Sequence, residues 1–194
     1  MPSRRVLQIR ASEAASEAAL EAALEAASEA ALVICGIDPG FAIVGYGFLR
    51  HEGGSLLPVE FGCVRTDAEA PFALRLLTIH DSLAELILRL SPEAVAVETL
   101  LFNKNAKTAI EVAQGRGAAL LAAARLGVEV AEYSPPQVKM AVTGYGRADK
   151  PQMQRMVKTI LGLPAVPKPD DVADALAVAI CHAHSFKLRG LACQ

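Results

Sequence analysis

The sequence lacks the patterns that mark disulfide-bonded, zinc-binding or membrane-spanning proteins. It has four cysteines in 194 residues, Cys35, Cys63, Cys181 and Cys193, and no two of them form a CxxC pair. We therefore expect buried, reduced thiols in a cytoplasmic protein, without a zinc cluster. No apolar run approaches the ~20 residues that a membrane-spanning helix needs. The sequence also shows no P-loop, GxGxxG loop or Ser-His-Asp pattern.

Alanine accounts for the positive mean hydropathy of +0.33. Of 36 alanines, 11 lie in the first 31 residues, where Ser/Leu-Glu-Ala-Ala repeats five times between positions 12 and 31. Alanine and glutamate favour helix, but the leucine stripe that this spacing produces is short and buries little. We predict that residues 1–31 are a low-complexity extension, helical or disordered, and that residues 32–194 form a single domain.

The remaining chain alternates strand-like and helix-like patterns. Apolar, β-branched runs bounded by turn residues predict five strands, at 32–38, 43–50, 56–65, 94–98 and 128–132. Apolar residues at helical spacing predict helices at 71–90, 106–124, 150–161 and 170–186, with a short helix that ends near 140. This order predicts an α/β fold with a mixed five-stranded sheet and helices on both faces.

Four carboxylates lie where predicted elements begin or end. Asp38 closes the first strand and Glu98 the fourth, while Asp171 and Asp174 share one face of the last helix. Taken singly, each has an ordinary explanation, as a turn residue or as a helix N-terminal acid. Taken together, they predict a site for hard divalent cations such as Mg²⁺ or Mn²⁺. The neighbouring Asp170 points about 100° away from Asp171 and is interpreted as a cap or solvated acid.

Four separate blocks resemble the RuvC family of Holliday-junction resolvases. They are GIDPG at 36–40 with Gly45 and Gly47, AVE at 96–98, Lys104-Asn105-Ala106, and DDVADALAVAI at 170–180. The resemblance runs from about residue 33 to residue 184, and the blocks occur in the family's order and spacing. It implies the ribonuclease-H-like fold of the retroviral-integrase superfamily and a homodimer. It also implies a structure-selective endonuclease that resolves four-way DNA junctions in recombination and repair.

The same resemblance assigns chemistry to the carboxylates. Asp38, Glu98, Asp171 and Asp174 match the family's catalytic tetrad, which implies two Mg²⁺ ions per site, with Mn²⁺ as a substitute. It further implies paired symmetric nicks that leave 5′-phosphate and 3′-hydroxyl ends. By resemblance we also expect a bacterial, cytoplasmic enzyme that works with the RuvA–RuvB branch-migration complex.

Basic residues are concentrated in the second half of the sequence, where residues 99–194 hold twelve bases and seven acids. Such residues favour phosphate contacts, although solvated helix faces explain any one of them equally well. Lys139 and Lys150 match lysines that the family places near the active site, and Lys150 is the candidate to neutralise transition-state charge. The other expected DNA contacts are Leu101, Phe102, Lys104, Asn105, Lys107, Arg116 and Arg147.

One position departs from the family pattern. The family often has an aromatic residue three positions after the catalytic glutamate, whereas this chain has Leu101 there, followed by Phe102. Leucine wedges between bases but does not stack on them. Either Phe102 takes over the stacking, which is the preferred interpretation, or base discrimination at the crossover is altered.

Two other classes of protein share parts of this pattern. A YqgF-type nuclease or a ribonuclease H has the same strand-end acids. A non-catalytic DNA-binding or actin-like ATPase module shares the GIDPG block, but it would need a second Gly-rich phosphate loop, and none is visible in the sequence.

Overall fold

A computed structural model describes residues 31–99 and 106–192 of the chain, and the side chains of 31–99 and 109–185. The chain divides into two units, Met1–Ala31 and Leu32–Gln194, and every element below belongs to the second. The strands are β1 (Leu32–Asp38), β2 (Ile43–Glu52), β3 (Ser55–Arg65), β4 (Ala94–Glu98) and β5 (Glu129–Tyr133). The helices are α1 (Phe72–Leu90), α2 (Ala106–Arg125), α3 (Pro135–Thr143), α4 (Lys150–Ile160) and α5 (Asp170–Ala192).

The five strands form one mixed sheet in the order β3-β2-β1-β4-β5. β1, β2 and β3 are antiparallel neighbours, as expected for consecutive strands joined by short turns. β4 and β5 run parallel to β1 and are reached through helical crossovers. The prediction of a mixed five-stranded sheet is confirmed.

Alternate residues of β1 contact helices on opposite faces of the sheet. Ile34 belongs to the apolar cluster that includes Leu176 and Ile180 of α5. Cys35 and Ile37 belong to a second cluster, which contains buried residues of α1 and α2. The two-residue side-chain period of a strand therefore builds two cores, one on each face.

Two predicted features shift once the chain is folded. Helical spacing predicts one apolar stripe on α1, formed by Leu76, Leu77, His80, Leu83, Ile87 and Leu90. Leu83 and Ile87 are buried, together with Ile79, but Leu77 is 52% exposed. The fifth strand begins one residue later than predicted, because the Val128 amide donates to the Ala123 carbonyl and completes the turn after α2.

The structure describes three of the four cysteines, and two of them are buried as expected. Cys35 and Cys181 are buried free thiols, whereas Cys63 is only partly buried, and Cys193 lies outside the described residues. Within the described parts of the chain, no helix is long and apolar enough to cross a membrane.

Candidate active site

Asp38 and Glu98 lie together because their strands are parallel neighbours. β1 pairs with β4 in a register that places Ile37 opposite Val97, one residue before each acid. Ligand sites in open α/β sheets form at the carboxyl ends of strands, where the chain leaves the sheet and side chains are free to converge. The topology thus brings these two sequence-predicted acids to the same edge of the sheet.

Glycines in β1 and β2 bring the other two acids to that edge. A Cβ atom on Gly45 would lie 2.0 Å from the Asp171 carbonyl oxygen, and one on Gly36 would lie 2.1 Å from that of Ala175. No side chain fits at either position, so α5 lies with its backbone directly against the sheet. The start of α5, with Asp171 in its first turn and Asp174 in the next, is therefore held next to Asp38.

The loop after Asp38 is supported from the opposite side. A Cβ atom on Gly115 of α2 would lie 2.2 Å from the Gly40 carbonyl oxygen, so this helix also approaches without an intervening side chain. The Phe41 ring stacks on Phe72, with centroids 4.4 Å apart, and the Arg75 guanidinium lies 4.0 Å from the Phe41 centroid. These contacts restrict the movement of the loop that follows Asp38.

The four acids lie close enough to disfavour one another's ionisation when no cation is bound. Burial, reinforced by the charges of Asp174, Asp171 and Glu98, raises the pKa of Asp38 to about 8. Burial and the charge of Asp174 also raise the pKa of Glu98. Burial raises the pKa of Asp174 too, against the lowering effect of its hydrogen bond with Lys150. Each raised pKa reflects partial burial of the carboxyl group together with neighbouring negative charge.

This donor set fits a hard divalent cation. Four carboxylates supply the oxygen ligands that Mg²⁺ prefers, and a cation would offset both the burial and the neighbouring charges that raise the pKa of Asp38. Among the described residues, no three His, Cys, Asp or Glu side chains stand close enough to hold one ion between them. The acids are gathered at one edge of the sheet, and the assignment of Asp38, Glu98, Asp171 and Asp174 as metal ligands stays a prediction.

A cleft of about 300 Å³ opens beside the acids, between α3, α4 and α5. Glu98, Asp174, Lys139 and Lys150 supply its polar lining, and Pro135, Val138, Met153, Ala177 and Val178 the apolar part. The Lys150 ammonium lies 3.0 Å from Asp174 Oδ2. Both lysines predicted to lie near the acids therefore line the same cleft as two of them.

Comparison with known proteins identifies the family. The family described as "Crossover junction endodeoxyribonuclease RuvC" matches residues 34–182. A protein of that description from Ruminiclostridium cellulolyticum is 53% identical over 160 residues, which cover 82% of this chain and 96% of the relative. Another, from Moorella thermoacetica, is 57% identical over 152 residues, covering 78% and 91%. This chain belongs to the RuvC family.

Solved structures of the RuvC family have the same fold. Thermus thermophilus RuvC is 38% identical, with a TM-score of 0.77 over 82% of this chain and 98% of that one. The same protein in complex with Holliday junction substrate gives a TM-score of 0.78, over 82% and 97%. The ribonuclease-H-like fold implied by the sequence motifs is confirmed. The family match favours a RuvC-type protein over a YqgF-type nuclease or a ribonuclease H.

The DNA contacts implied by the RuvC family are only partly visible. Leu101, Phe102, Lys104 and Asn105 lie outside the described residues, and so does the side chain of Lys107, which belongs to α2. Arg147 is exposed in the loop between α3 and α4.

Arg116 forms an ion pair within this chain. Its guanidinium forms an ion pair with Glu132 of β5, and its side chain is only 16% exposed. This contact ties α2 to the sheet, which is a structural role that its charge in the sequence did not suggest.

Sequence reasoning did not assign the parts of the site that act through packing and pairing. The sequence analysis used Gly36 and Gly45 only as members of family motifs. An isolated glycine within a strand is itself a signal of close backbone approach. Asp170, interpreted from the sequence as a cap or solvated acid, is 43% exposed; it also accepts a hydrogen bond from Lys168 at 2.7 Å and lies 3.5 Å from Lys150.

The raised pKa of Asp38 predicts how metal-free stability depends on pH. Between about pH 4 and pH 8 the native state binds more protons than the unfolded state, so stability falls as pH rises through this window. Urea unfolding in EDTA at pH 5 and at pH 8 measures this fall. Asp38→Asn removes the titrating group and should flatten the profile; an unchanged slope in that variant would contradict the interpretation.

Proposed function

We propose that this chain resolves four-way DNA junctions by hydrolysing phosphodiester bonds with metal ions held by Asp38, Glu98, Asp171 and Asp174. One observation carries the proposal: the fold gathers four carboxylates at one edge of the sheet, where burial and mutual charge raise the pKa of Asp38 to about 8. Membership of the RuvC family supplies the substrate class. We further propose that each site binds two Mg²⁺ ions, which Mn²⁺ can replace. The paired nicks would leave 5′-phosphate and 3′-hydroxyl ends.

The roles of the side chains follow from their charge and position. Bound divalent cations would supply Lewis-acid stabilisation of the scissile phosphate and ease deprotonation of the attacking water. The carboxylates would fix the position of those ions relative to the phosphate. Lys150 and Lys139 line the cleft beside Glu98 and Asp174, where an ammonium group stabilises negative charge that develops on the phosphate oxygens.

Wider contacts with the junction follow from charge and symmetry. Lys104, Asn105, Lys107 and Arg147 are proposed to hold the DNA backbone, with Leu101 and Phe102 at the crossover, whereas the Arg116 guanidinium is already paired with Glu132. Phosphate contacts of this kind make the affinity salt-dependent. A homodimer would present two like sites to two strands of like polarity, which accounts for symmetric nicking. We also propose that the enzyme works in the bacterial cytoplasm with the RuvA–RuvB complex.

Substrate selectivity tests the proposed function. Equal concentrations of a mobile four-way junction, linear duplex, RNA–DNA hybrid and single strand would be incubated with the protein and Mg²⁺. We expect paired nicks in the junction at least about 100-fold faster than any cut in the other substrates, and none in EDTA. Preferential cleavage of the hybrid would identify a ribonuclease H instead, and cleavage that persists in EDTA would exclude the metal site.

The N-terminal unit gives a separate prediction. We propose that residues 1–31 are an addition to the nuclease domain, because the described sheet strands and the candidate ligands lie at residue 32 or beyond. Deletion of residues 1–31 should leave the junction-cleavage rate within about twofold and the dimer intact by light scattering. Loss of dimerisation or of junction binding would show that the extension belongs to the working enzyme.

A further inference from the structure

Asp170, the first residue of α5, joins two lysines beside the candidate metal site. The Lys168 ammonium donates to its Oδ1 at 2.7 Å, and the Lys150 ammonium lies 3.5 Å from its Oδ2. Lys150 is also 3.0 Å from Asp174 Oδ2. The four side chains thus form a line of alternating charge, Lys168, Asp170, Lys150 and Asp174, which ends at a proposed metal ligand.

Helix geometry explains why Asp170 and Asp174 share a lysine. Residues four apart lie on one face of a helix, so these two carboxylates flank Lys150, which begins α4. Asp171 lies about 100° around the helix and its backbone contacts Gly45 of the sheet. Consecutive acids of α5 therefore have different surroundings, one beside the lysines and the other against the strands.

Lys150 and a metal ion compete for Asp174. The ammonium of Lys150 lies 3.0 Å from this carboxylate and forms an ion pair with it. A divalent ion bound by Asp174 would repel Lys150 and would weaken its attraction to that carboxylate. Asp170 offers a second carboxylate on the same side, so Lys150 would keep a partner without leaving the cleft.

We propose that Asp170 is a positioning residue that retains Lys150 beside the active site when Asp174 binds a metal ion. This inference rests on the proposed metal site. Asp170 acts through Lys150 and does not itself ligate the ion. Two consequences follow: metal binding is less costly because Lys150 keeps a carboxylate partner, and Lys150 remains within reach of the scissile phosphate.

The expected effect is modest, because the pairs are solvent-accessible. The side chains of Asp170 and Lys150 are 43% and 52% exposed, and ion pairs of this exposure change equilibria by small factors. We expect Asp170→Asn to weaken Mg²⁺ binding by about three- to fivefold. At saturating Mg²⁺ it should lower the single-turnover cleavage rate by a similar factor, with junction affinity unchanged.

A double-mutant cycle separates action through Lys150 from a general charge effect. The four proteins are the full-length chain, Asp170→Asn, Lys150→Gln and the double variant, and the readout is Mg²⁺ affinity by calorimetry without DNA. If Asp170 acts through Lys150, its replacement weakens Mg²⁺ binding when Lys150 is present and has little effect in the Lys150→Gln variant. The same weakening in both cases would overturn the proposal, because it would show that only the lost negative charge matters.

Conservative replacement gives an independent check. Asp170→Glu keeps the charge and the reach to Lys150, so it should restore most of the Mg²⁺ affinity and of the cleavage rate; failure to restore either one would overturn the positioning role. Absence of any Mg²⁺ binding to the unmodified chain would overturn the proposed metal site, and this inference with it. Normal Mg²⁺ binding with an additive cycle would overturn the inference alone.

Discussion

Asp38→Asn should slow junction cleavage in Mg²⁺ by at least about 1000-fold while leaving junction binding measurable. Asp38 ends β1 at the same edge of the sheet as the other three acids, and burial with their charges raises its pKa to about 8. Asparagine has nearly the same shape but no charge, so it removes a metal ligand without disturbing the packing. Single-turnover cleavage of a labelled four-way junction measures the rate, and a binding titration in EDTA measures the affinity.

The same variant should also unfold at a higher temperature than the original chain when metal is absent. Asparagine does not ionise, so it removes the cost of burying Asp38 among three other acids, whereas loss of a purely structural residue would destabilise the fold. Glu85→Gln, which neutralises an exposed acid of α1, is the matched control and should change neither cleavage nor stability. Full cleavage activity in Asp38→Asn would contradict the assignment of the metal site.

Gly45→Ala should damage the site by displacing backbone, while every charged residue of the site keeps its identity. The added Cβ would lie 2.0 Å from the Asp171 carbonyl oxygen and 3.1 Å from the Asp171 Cβ, so α5 must move away from the sheet. Overpacking of this kind costs about 2–4 kcal/mol of stability. Displacement of a catalytic group by about 1 Å costs about 100-fold in rate. Urea unfolding and junction cleavage measure the two effects.

Gly62→Ala in the neighbouring strand is the control for this variant. Its added Cβ would lie 2.8 Å from the hydroxyl oxygen of Tyr46, so only a partly exposed side chain has to shift and no helix backbone is displaced. We therefore expect a loss of less than about 1 kcal/mol and nearly normal cleavage. Equal damage from both substitutions would mean that any added methyl group in this sheet is harmful, and that the Gly45 contact has no special role.

The sequence alone was sufficient for the features that depend on local pattern. Alternation and turn residues predict β1 to β5 within a few residues, and the carboxyl ends of β1 and β4 predict that Asp38 and Glu98 are neighbours. The first turn of the last helix is predicted with Asp171 and Asp174 on one face. Each of these inferences needs only the period of an element and the place where it ends.

Features that depend on contacts between distant segments needed the structure. Arg116 looks like any basic residue in the sequence, and its pairing with Glu132 depends on how α2 crosses β5. Asp170 precedes Asp171 by one residue, and the different surroundings of the two acids depend on how α4 packs beside α5. The apolar pattern of α1 predicts that Leu77 is buried, but it is exposed. Periodicity gives the width of an apolar stripe but not the position of the element that covers it.

The close approach of α5 to the sheet limits which mutations the enzyme can accept. The helix buries five alanines, Ala173, Ala175, Ala177, Ala179 and Ala183, and of these Ala175 and Ala179 lie against Gly36 of the sheet. A Cβ on Gly36 would come within 2.9 Å of the Cβ of Ala179, which leaves no room for larger residues on either side. Enlarging these small residues would separate the carboxylates of α5 from Asp38. We therefore expect laboratory evolution of the enzyme to retain small residues here, while the solvent-facing positions of α1 accumulate changes freely.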